Sequence, residues 1–164
     1  MGVVEAIFVS AGGGQPMQPV AEVEAVAGVG LSGDRYAERT GYWSGVDECQ
    51  VTFIEAEALD GITGSTDVRV TEGQHRRNVV VRGVELRALA GATFTVGEAS
   101  FSYDRPRPPC RYIESITQSG MTRALAARRG GICVRVVGSG VLRVGDELVV
   151  GDVSRVSAWF DRLR

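Results

Sequence analysis

The chain contains no lysine, a single histidine and three cysteines among its 164 residues. With His75 as the only histidine, a zinc enzyme that binds its metal through several histidines is excluded. The cysteines, Cys49, Cys110 and Cys133, are odd in number and widely spaced, which fits neither a disulfide framework nor paired zinc knuckles. This cysteine usage predicts a protein of the reducing cytoplasm.

Because lysine is absent, all 18 basic residues are arginines. Arginine suits bidentate binding of phosphate and carboxylate groups, but GC-rich coding produces the same pattern, and we favour that explanation for the composition as a whole. The net charge of −2 provides no basic field that would draw the protein to nucleic acid or an anionic membrane, and no stretch is long enough to span a bilayer. We therefore expect a small-molecule substrate, and neither nucleic acid nor a membrane as partner.

The length and the 44% hydrophobic content predict one globular domain, which we place at residues 1–151. The N-terminus has no basic segment and carries Glu5 inside its short apolar run, which is typical of a first strand and not of a secretory signal. The tail, residues 152–164, has apolar residues at helical spacing and is predicted to be an amphipathic helix. The apolar face of that helix could be buried in either of two ways, by docking on the domain or by docking on a second subunit in a homodimer.

Short apolar or alternating runs separated by glycine dominate the chain, and nine of them are predicted to be strands. They cover residues 3–9, 20–26, 50–54, 78–82, 92–96, 98–103, 132–137, 141–144 and 147–150. Helical signals are few: we predict short helices at residues 55–60, stopped by Gly61, and at residues 121–129. So many strands in one domain favour a mainly β fold, a closed or nearly closed β-barrel with a few peripheral helices.

One glycine-rich segment, Gly28-Val29-Gly30-Leu31-Ser32-Gly33, matches the dinucleotide-binding pattern of glycines after a strand. That motif requires a helix immediately afterwards, and the chain does not alternate strands with helices. The segment is therefore interpreted as a turn, and a Rossmann fold is disfavoured.

The densest candidate site is the stretch around Cys110, where residues 104–112 hold three arginines and three prolines. A thiolate is a soft metal ligand and a good nucleophile, and neighbouring guanidinium groups favour the thiolate over the thiol. Three alternatives remain open at this point: a functional thiol, a small buried apolar residue, and a nucleophilic pair with His75. For His75 itself we favour a surface position in the turn formed by residues 72–75.

A second candidate is Arg76-Arg77-Asn78, which leads into the strand Val79-Val80-Val81. If the alternation of side chains along the strand already begins at Arg76, then Arg76 and Asn78 point to one side of the strand and Arg77 to the other. A guanidinium beside an amide suits a phosphate group or the edge of a heterocycle.

The ordered set of these segments resembles the MOSC family, named after the C-terminal domain of molybdenum-cofactor sulfurases. The segments that carry the resemblance are Gly30-Leu31-Ser32-Gly33-Asp34-Arg35-Tyr36, Gln50-Val51-Thr52-Phe53-Ile54-Glu55, residues 76–84, Pro108-Pro109-Cys110, and residues 130–137 with Gly145-Asp146. The resemblance implies a β-barrel like that of pyruvate kinase. One segment differs: many members have His-Gly-Gly after Gly-Asp-Arg, where this chain has Gly41-Tyr42-Trp43-Ser44-Gly45.

The resemblance also implies a function and the residues that serve it. Cys110 matches the cysteine that ligates molybdenum or carries sulfur, Asp34 and Arg35 match an element near the cofactor, and Arg76 and Asn78 match an Arg-x-Asn element that contacts the pterin and its phosphate. We assign two further residues that follow the cysteine, Arg111 and Tyr112, to the same cofactor site.

Two functions are consistent with these residues. The first is a protein that binds molybdenum cofactor (molybdopterin), with Cys110 as metal ligand, and reduces N-hydroxylated compounds with electrons from a separate electron-donor protein. The second is a carrier of sulfur, as a persulfide on Cys110 supplied by a cysteine desulfurase, or of the cofactor itself.

Overall fold

A computed structural model describes residues 2–42, 44–45 and 48–151 of the chain. The predicted C-terminal helix, residues 152–164, lies outside the described residues. Eleven strands and three short α-helices are present in this part of the chain. The strands are β1 (Gly2–Val9), β2 (Gln18–Val20), β3 (Glu22–Val26), β4 (Gly30–Leu31), β5 (Val51–Glu55), β6 (Val79–Arg82), β7 (Thr93–Val96), β8 (Ala99–Pro106), β9 (Ile132–Gly138), β10 (Gly140–Arg143) and β11 (Glu147–Gly151), and the helices are α1 (Ala56–Ser65), α2 (Arg111–Ile116) and α3 (Met121–Ala124).

Seven strands close into a barrel in the order β1-β11-β7-β8-β9-β5-β6, and β6 returns to β1. All neighbours in this ring are antiparallel except β5 and β6, which run parallel because α1 crosses between them. Strand β2 pairs with β1 outside the ring, and β10, β3 and β4 form a separate small sheet. The prediction of a mainly β fold with a closed barrel and few helices is confirmed.

The barrel interior is filled by inward side chains from alternating positions. Phe53, Phe94 and Phe101 are fully buried there, with ring centroids 5.3–5.7 Å apart. A second apolar cluster, which includes Ile54, Ile62 and Leu125, packs the helices against the outside of the barrel wall. The interior is therefore packed with side chains, and a ligand site must lie at an end of the barrel or on its outer face.

The helices depart from their predicted bounds. Helix α1 runs through Gly61 to Ser65, because Ile62 on its buried side packs into the second cluster and outweighs the weak helix propensity of glycine. Helix α3 ends at Ala124, well short of 129, and the chain adopts positive φ at Ala127 and Arg128. Helix α2 was not predicted, and neither was the 3₁₀ helix at Leu86–Leu89.

No helix within the described ranges is long and apolar enough to cross a membrane.

Candidate functional site

A cavity of about 530 Å³ opens where the β8–α2 loop meets two other segments. Strand β8 ends at Pro106, and the loop that follows carries Pro108, Pro109 and Cys110 along one wall. The other walls come from the β4–β5 connection and from the segment before β6. The lining residues are Gly13, Arg35, Tyr36, Gly41, Tyr42, Arg76, Arg77, Arg105, Pro106, Arg107, Pro108, Pro109, Cys110, Tyr112, Ile113 and Ile116.

The cavity is strongly cationic. Five arginines line it, Arg35, Arg76, Arg77, Arg105 and Arg107, and no aspartate or glutamate is among the described lining residues. Two of these arginines are paired with aspartates outside the lining, Arg35 with Asp34 and Arg105 with Asp104. Four of the five are nearly buried, with 4–9% of their surface exposed. Positive groups in a partly desolvated concave site attract anions much more strongly than the same groups do on an open surface.

Asp34 holds Arg35 in place from behind the cavity. Its carboxylate is fully buried and accepts hydrogen bonds from the backbone N–H of Ser10 at 3.0 Å and from Arg35 Nη1 at 3.1 Å. Arg35 Nη2 also donates to the carbonyl of Arg76 at 3.0 Å and to the hydroxyl of Tyr36 at 3.2 Å. Asp34 therefore supports the site without lining it, and Arg35 reaches the cavity.

The segment before β6 presents both of its arginines to the cavity. Strand geometry begins only at Val79, and Arg76 has a left-handed φ of 65°, so a period of two cannot be extended back to these residues. The expectation that Arg76 and Arg77 face opposite sides is therefore wrong. Arg76 Nη1 donates to the carbonyl of Gln15, and Arg77 Nε donates to the carbonyl of Gly130 at 2.6 Å.

Burial lowers the pKa of both Arg76 and Arg77 to about 10. The charge of Arg35 is the second cause for Arg76, and for Arg77 the charge of Arg107 acts in the same direction as burial. Both side chains remain protonated at neutral pH. Both guanidinium groups stay charged although burial and neighbouring arginines disfavour the charge, and a bound anion would stabilise them.

Asn78 lies beneath the cavity and does not line it. Its Oδ1 accepts from the backbone N–H and the hydroxyl of Thr52, both at 3.0 Å, and its Nδ2 donates to the carbonyl of Phe8 at 3.1 Å. The side chain is fully buried. These contacts join β1, β5 and the start of β6, so Asn78 fixes the direction in which Arg76 and Arg77 leave the barrel. Its predicted contact with a cofactor stays a prediction.

His75 is buried and belongs to a different cavity. Only 1% of its surface is exposed, its Nδ1 accepts from the backbone N–H of Arg77 at 2.9 Å, and its ring meets Phe8 edge-on at 5.5 Å. The expected surface position is therefore wrong: the ring is turned inward to complete the turn that presents Arg77. Since His75 lines a cavity of about 210 Å³ that Cys110 does not line, the two do not form a nucleophilic pair.

Cys110 is held at the junction of the proline loop and α2. It is the residue before the helix, half-buried, and its carbonyl accepts from the Ile113 N–H at 3.2 Å and from the Thr122 hydroxyl at 3.0 Å. These bonds fix the backbone of Cys110, and the residue lines the cavity. Of the two residues that follow, Tyr112 lines the cavity, whereas Arg111 is exposed and lies outside the lining.

An aromatic pair forms part of the same wall. Tyr42 and Tyr112 stack with ring centroids 3.9 Å apart and 13° between their planes. Tyr42 belongs to the segment in which this chain departs from the His-Gly-Gly of many MOSC members, and that departure is the sequence signal that would have identified it. Tyr36, whose ring lies 4.3 Å below the Arg35 guanidinium, is a third tyrosine of the cavity that the sequence reasoning did not assign.

Within the described part of the chain, no group of three or more His, Cys, Asp or Glu side chains is arranged to hold a metal ion. The thiol of Cys110 is the soft ligand that the cavity offers.

Several solved structures share the fold. The YuaD protein from Bacillus subtilis matches with a TM-score of 0.70 and 18% identity, over 92% of this chain and 96% of its own. YiiM from Geobacillus stearothermophilus matches with a TM-score of 0.71 and 18% identity, over 93% of this chain and 76% of its own. YiiM from Escherichia coli matches with a TM-score of 0.64 and 16% identity, over 92% and 70%. At these identities the likeness concerns the fold.

No curated protein sequence matches the chain at a significant level. The family profile of the MOSC domain, in contrast, matches residues 40–149, a span that begins in the Tyr42 segment and includes the arginine pair, the proline loop and Cys110. The sequence profile and the closed barrel agree: this chain belongs to the MOSC domain family.

Proposed function

We propose that the protein binds molybdenum cofactor in the arginine-lined cavity and reduces N-hydroxylated compounds there. One observation carries the proposal: Cys110 shares a cavity with five arginines, and none of the lining residues that the structure describes is a carboxylate. A thiol in such surroundings suits a ligand that presents both a soft metal and several negative charges. The association of the MOSC domain with molybdenum-cofactor sulfurase supports the same ligand.

The residues present fit the chemistry of the cofactor. Its phosphate and dithiolene groups are anionic, and Arg76 and Arg77 supply guanidinium groups that are anchored on backbone carbonyls and stay charged. Its pterin is flat and aromatic, and the stacked Tyr42 and Tyr112 provide an aromatic wall. Cys110 would hold the metal, and the arginines would hold the phosphate.

When bound, the cofactor supplies two-electron chemistry that removes an oxygen atom from an N–OH group. The reduction also consumes two protons and releases water, so the protein must deliver protons in the cavity. Tyr36 is placed for this: its oxygen accepts from Arg35 Nη2 at 3.2 Å, which leaves the Tyr36 O–H free to donate elsewhere. Arg35 thereby orients the hydroxyl, and Asp34 orients Arg35. The electrons would come from a separate electron-donor protein.

A second candidate is a carrier of sulfur or of the cofactor. Cys110 is only half-buried, so a partner such as a cysteine desulfurase could reach its sulfur from outside. The carrier and the reductase use the same thiol and differ in whether the loaded protein turns over.

The experiment that tests the proposal starts with expression in a host that makes molybdenum cofactor. The loaded protein is assayed for reduction of an N-hydroxylated purine or benzamidoxime with an artificial electron donor. We expect turnover, with Tyr36→Phe lowering kcat at least 10-fold while the bound cofactor remains. Full loading without turnover would refute the reductase, and a persulfide on Cys110 after incubation with a cysteine desulfurase would then support the carrier.

The role of the arginines is tested by cofactor retention. Arg76→Ala removes a cationic group that lines the cavity. The control, Arg82→Ala, removes an arginine of β6 that does not line the cavity and is paired with Glu5 and Asp60. We expect Arg76→Ala to lose most of its pterin on gel filtration and Arg82→Ala to keep it. Equal retention by the two variants would contradict the assignment of the phosphate to this cluster.

A further inference from the structure

Two of the three cysteines meet inside the fold. The Cys49 and Cys133 sulfurs lie 2.7 Å apart, 84 residues apart in sequence, with the Cys49 thiol donating to Cys133 Sγ. Both residues are free and buried. The spacing of the cysteines in the sequence did not predict this contact, which arises because β9 brings Cys133 opposite Thr52 and Cys49 lies just before β5.

The pair lies next to the cationic cluster. Cys133 pairs with Arg105 across the β8–β9 ladder. The hydrogen bond from Cys49 lowers the pKa of Cys133, and the charges of Arg107 and Arg105 lower it further, against the effect of burial. Correspondingly, the hydrogen bond to Cys133 and burial raise the pKa of Cys49. The hydrogen bond and the arginines thus make Cys133 the more acidic thiol of the pair.

A second cavity reaches Cys49, whereas Cys133 is fully buried behind it. This cavity, of about 360 Å³, is lined by Cys49 and its neighbour Gln50 and by Arg135 of β9. It shares three lining residues with the first cavity, Arg35, Tyr36 and Gly41, but Cys110 is not among its lining residues. A small polar oxidant can thus reach Cys49 without passing the candidate molybdenum ligand.

We propose that Cys49 and Cys133 form a two-cysteine oxidation site, at which a small peroxide is reduced and an intramolecular disulfide forms. The contact between the sulfurs, the open cavity at Cys49 and the adjacent arginines carry this proposal. The site is separate from Cys110 and does not depend on whether the protein binds a cofactor.

The chemistry balances with the peroxide as oxidant. Cys133, the more acidic thiol, first gives its proton to solvent, and the Cys49 proton then passes to Cys133 along the S–H···S bond. The Cys49 thiolate attacks one peroxide oxygen, the O–O bond breaks, Cys49 becomes a sulfenic acid, and the other oxygen leaves as hydroxide, which takes up a proton from solvent to become water. Cys133 then attacks the Cys49 sulfur, the S–S bond forms, the S–O bond breaks, and the oxygen leaves as water with the Cys133 proton. Two thiols and one peroxide give one disulfide and two waters, and the two electrons come from the sulfurs.

The distribution of arginines makes the test unambiguous. Trypsin cleaves after arginine but not before proline, so Cys49 falls in peptide 40–69, Cys110 in peptide 88–111 and Cys133 in peptide 130–135. The full-length native protein is reduced, freed of reductant and treated with one equivalent of hydrogen peroxide. It is then alkylated in denaturant, digested without reductant and mapped by mass spectrometry.

We expect a disulfide-linked product of peptides 40–69 and 130–135, with peptide 88–111 recovered as the alkylated thiol. The linked product should revert to two alkylated peptides after dithiothreitol, and it should be absent from Cys49→Ser. Any of three results in the wild-type protein would overturn the proposal: Cys49 and Cys133 both recovered as thiols, each oxidised without a link between them, or a link that contains peptide 88–111.

Discussion

Protonation of the single histidine should destabilise the native state strongly. His75 is buried, its Nδ1 accepts the Arg77 N–H, and its Nε2 has no hydrogen-bond partner among the described residues. Burial, with a smaller contribution from the charge of Arg77, lowers its pKa from the ordinary 6.5 to about 3. The native protein therefore excludes a proton that the unfolded chain accepts.

The size of the effect follows from the difference in proton binding. Between pH 6.5 and about 3 the unfolded state binds one more proton at His75 than the native state, so stability falls as the pH falls. Each pH unit in this range costs about 1.4 kcal/mol, and a change from pH 7 to pH 5 costs about 2 kcal/mol, a large share of a typical free energy of unfolding. Glu55 acts in the opposite direction, because burial raises its pKa and favours the native state in acid.

The assay compares the wild-type protein with His75→Asn in urea unfolding at pH 7, 6 and 5. Asparagine keeps an oxygen that can accept the Arg77 N–H, as in an Asx turn, and it does not titrate. We expect the wild-type protein to lose about 2 kcal/mol more than the variant between pH 7 and pH 5. Equal losses would refute the burial of a neutral imidazole, since every other titrating group is common to the two proteins.

Two further substitutions test how the barrel supports the site. Gly131 has a φ of 85°, and an added Cβ would lie inside van der Waals contact of the Phe53 carbonyl, so Gly131→Ala should cost about 3 kcal/mol or more in urea unfolding. Gly145→Ala, at φ 95° with nothing within 4 Å, is its control at about 1 kcal/mol, and equal costs would contradict the close packing. Asn78→Ala leaves buried groups of β1 and β5 unpaired and should cost about 3 kcal/mol by the same measurement. Gln118→Ala removes an amide that also bonds two backbone groups but at the surface, and it should cost under about 1 kcal/mol; a similar loss in both would argue against the buried network.

The barrel could be predicted from sequence because its signals are local. Alternation in β8 places Ala99 and Phe101 inside, and Gly97 marks the turn that precedes the strand. Such a pattern identifies strands, but it does not specify which strands are neighbours. The closure of β1 on β11 and the parallel pairing of β5 with β6 depend on packing between distant segments.

The candidate site was predicted only in part, because only some of its residues leave a local signal in the sequence. Cys110 and its proline loop stand out within nine residues of sequence, and the structure places that loop on the cavity. The packing of His75 against Phe8 and the anchoring of Arg76 on the Gln15 carbonyl are contacts with distant segments, which a local sequence pattern does not reveal. The contact between Cys49 and Cys133 likewise follows from the register of β5 and β9.

The role of Cys110 as a molybdenum ligand is tested most directly by the metal and pterin content of the purified protein. Wild type, Cys110→Ser and Cys49→Ser are produced in a host that makes molybdenum cofactor. Molybdenum is measured by mass spectrometry and pterin by fluorescence after oxidation. We expect molybdenum and pterin in equal amounts in wild type and in Cys49→Ser, and loss of most of the molybdenum from Cys110→Ser. Metal-free wild-type protein from that host, or equal molybdenum in Cys110→Ser, would contradict that role.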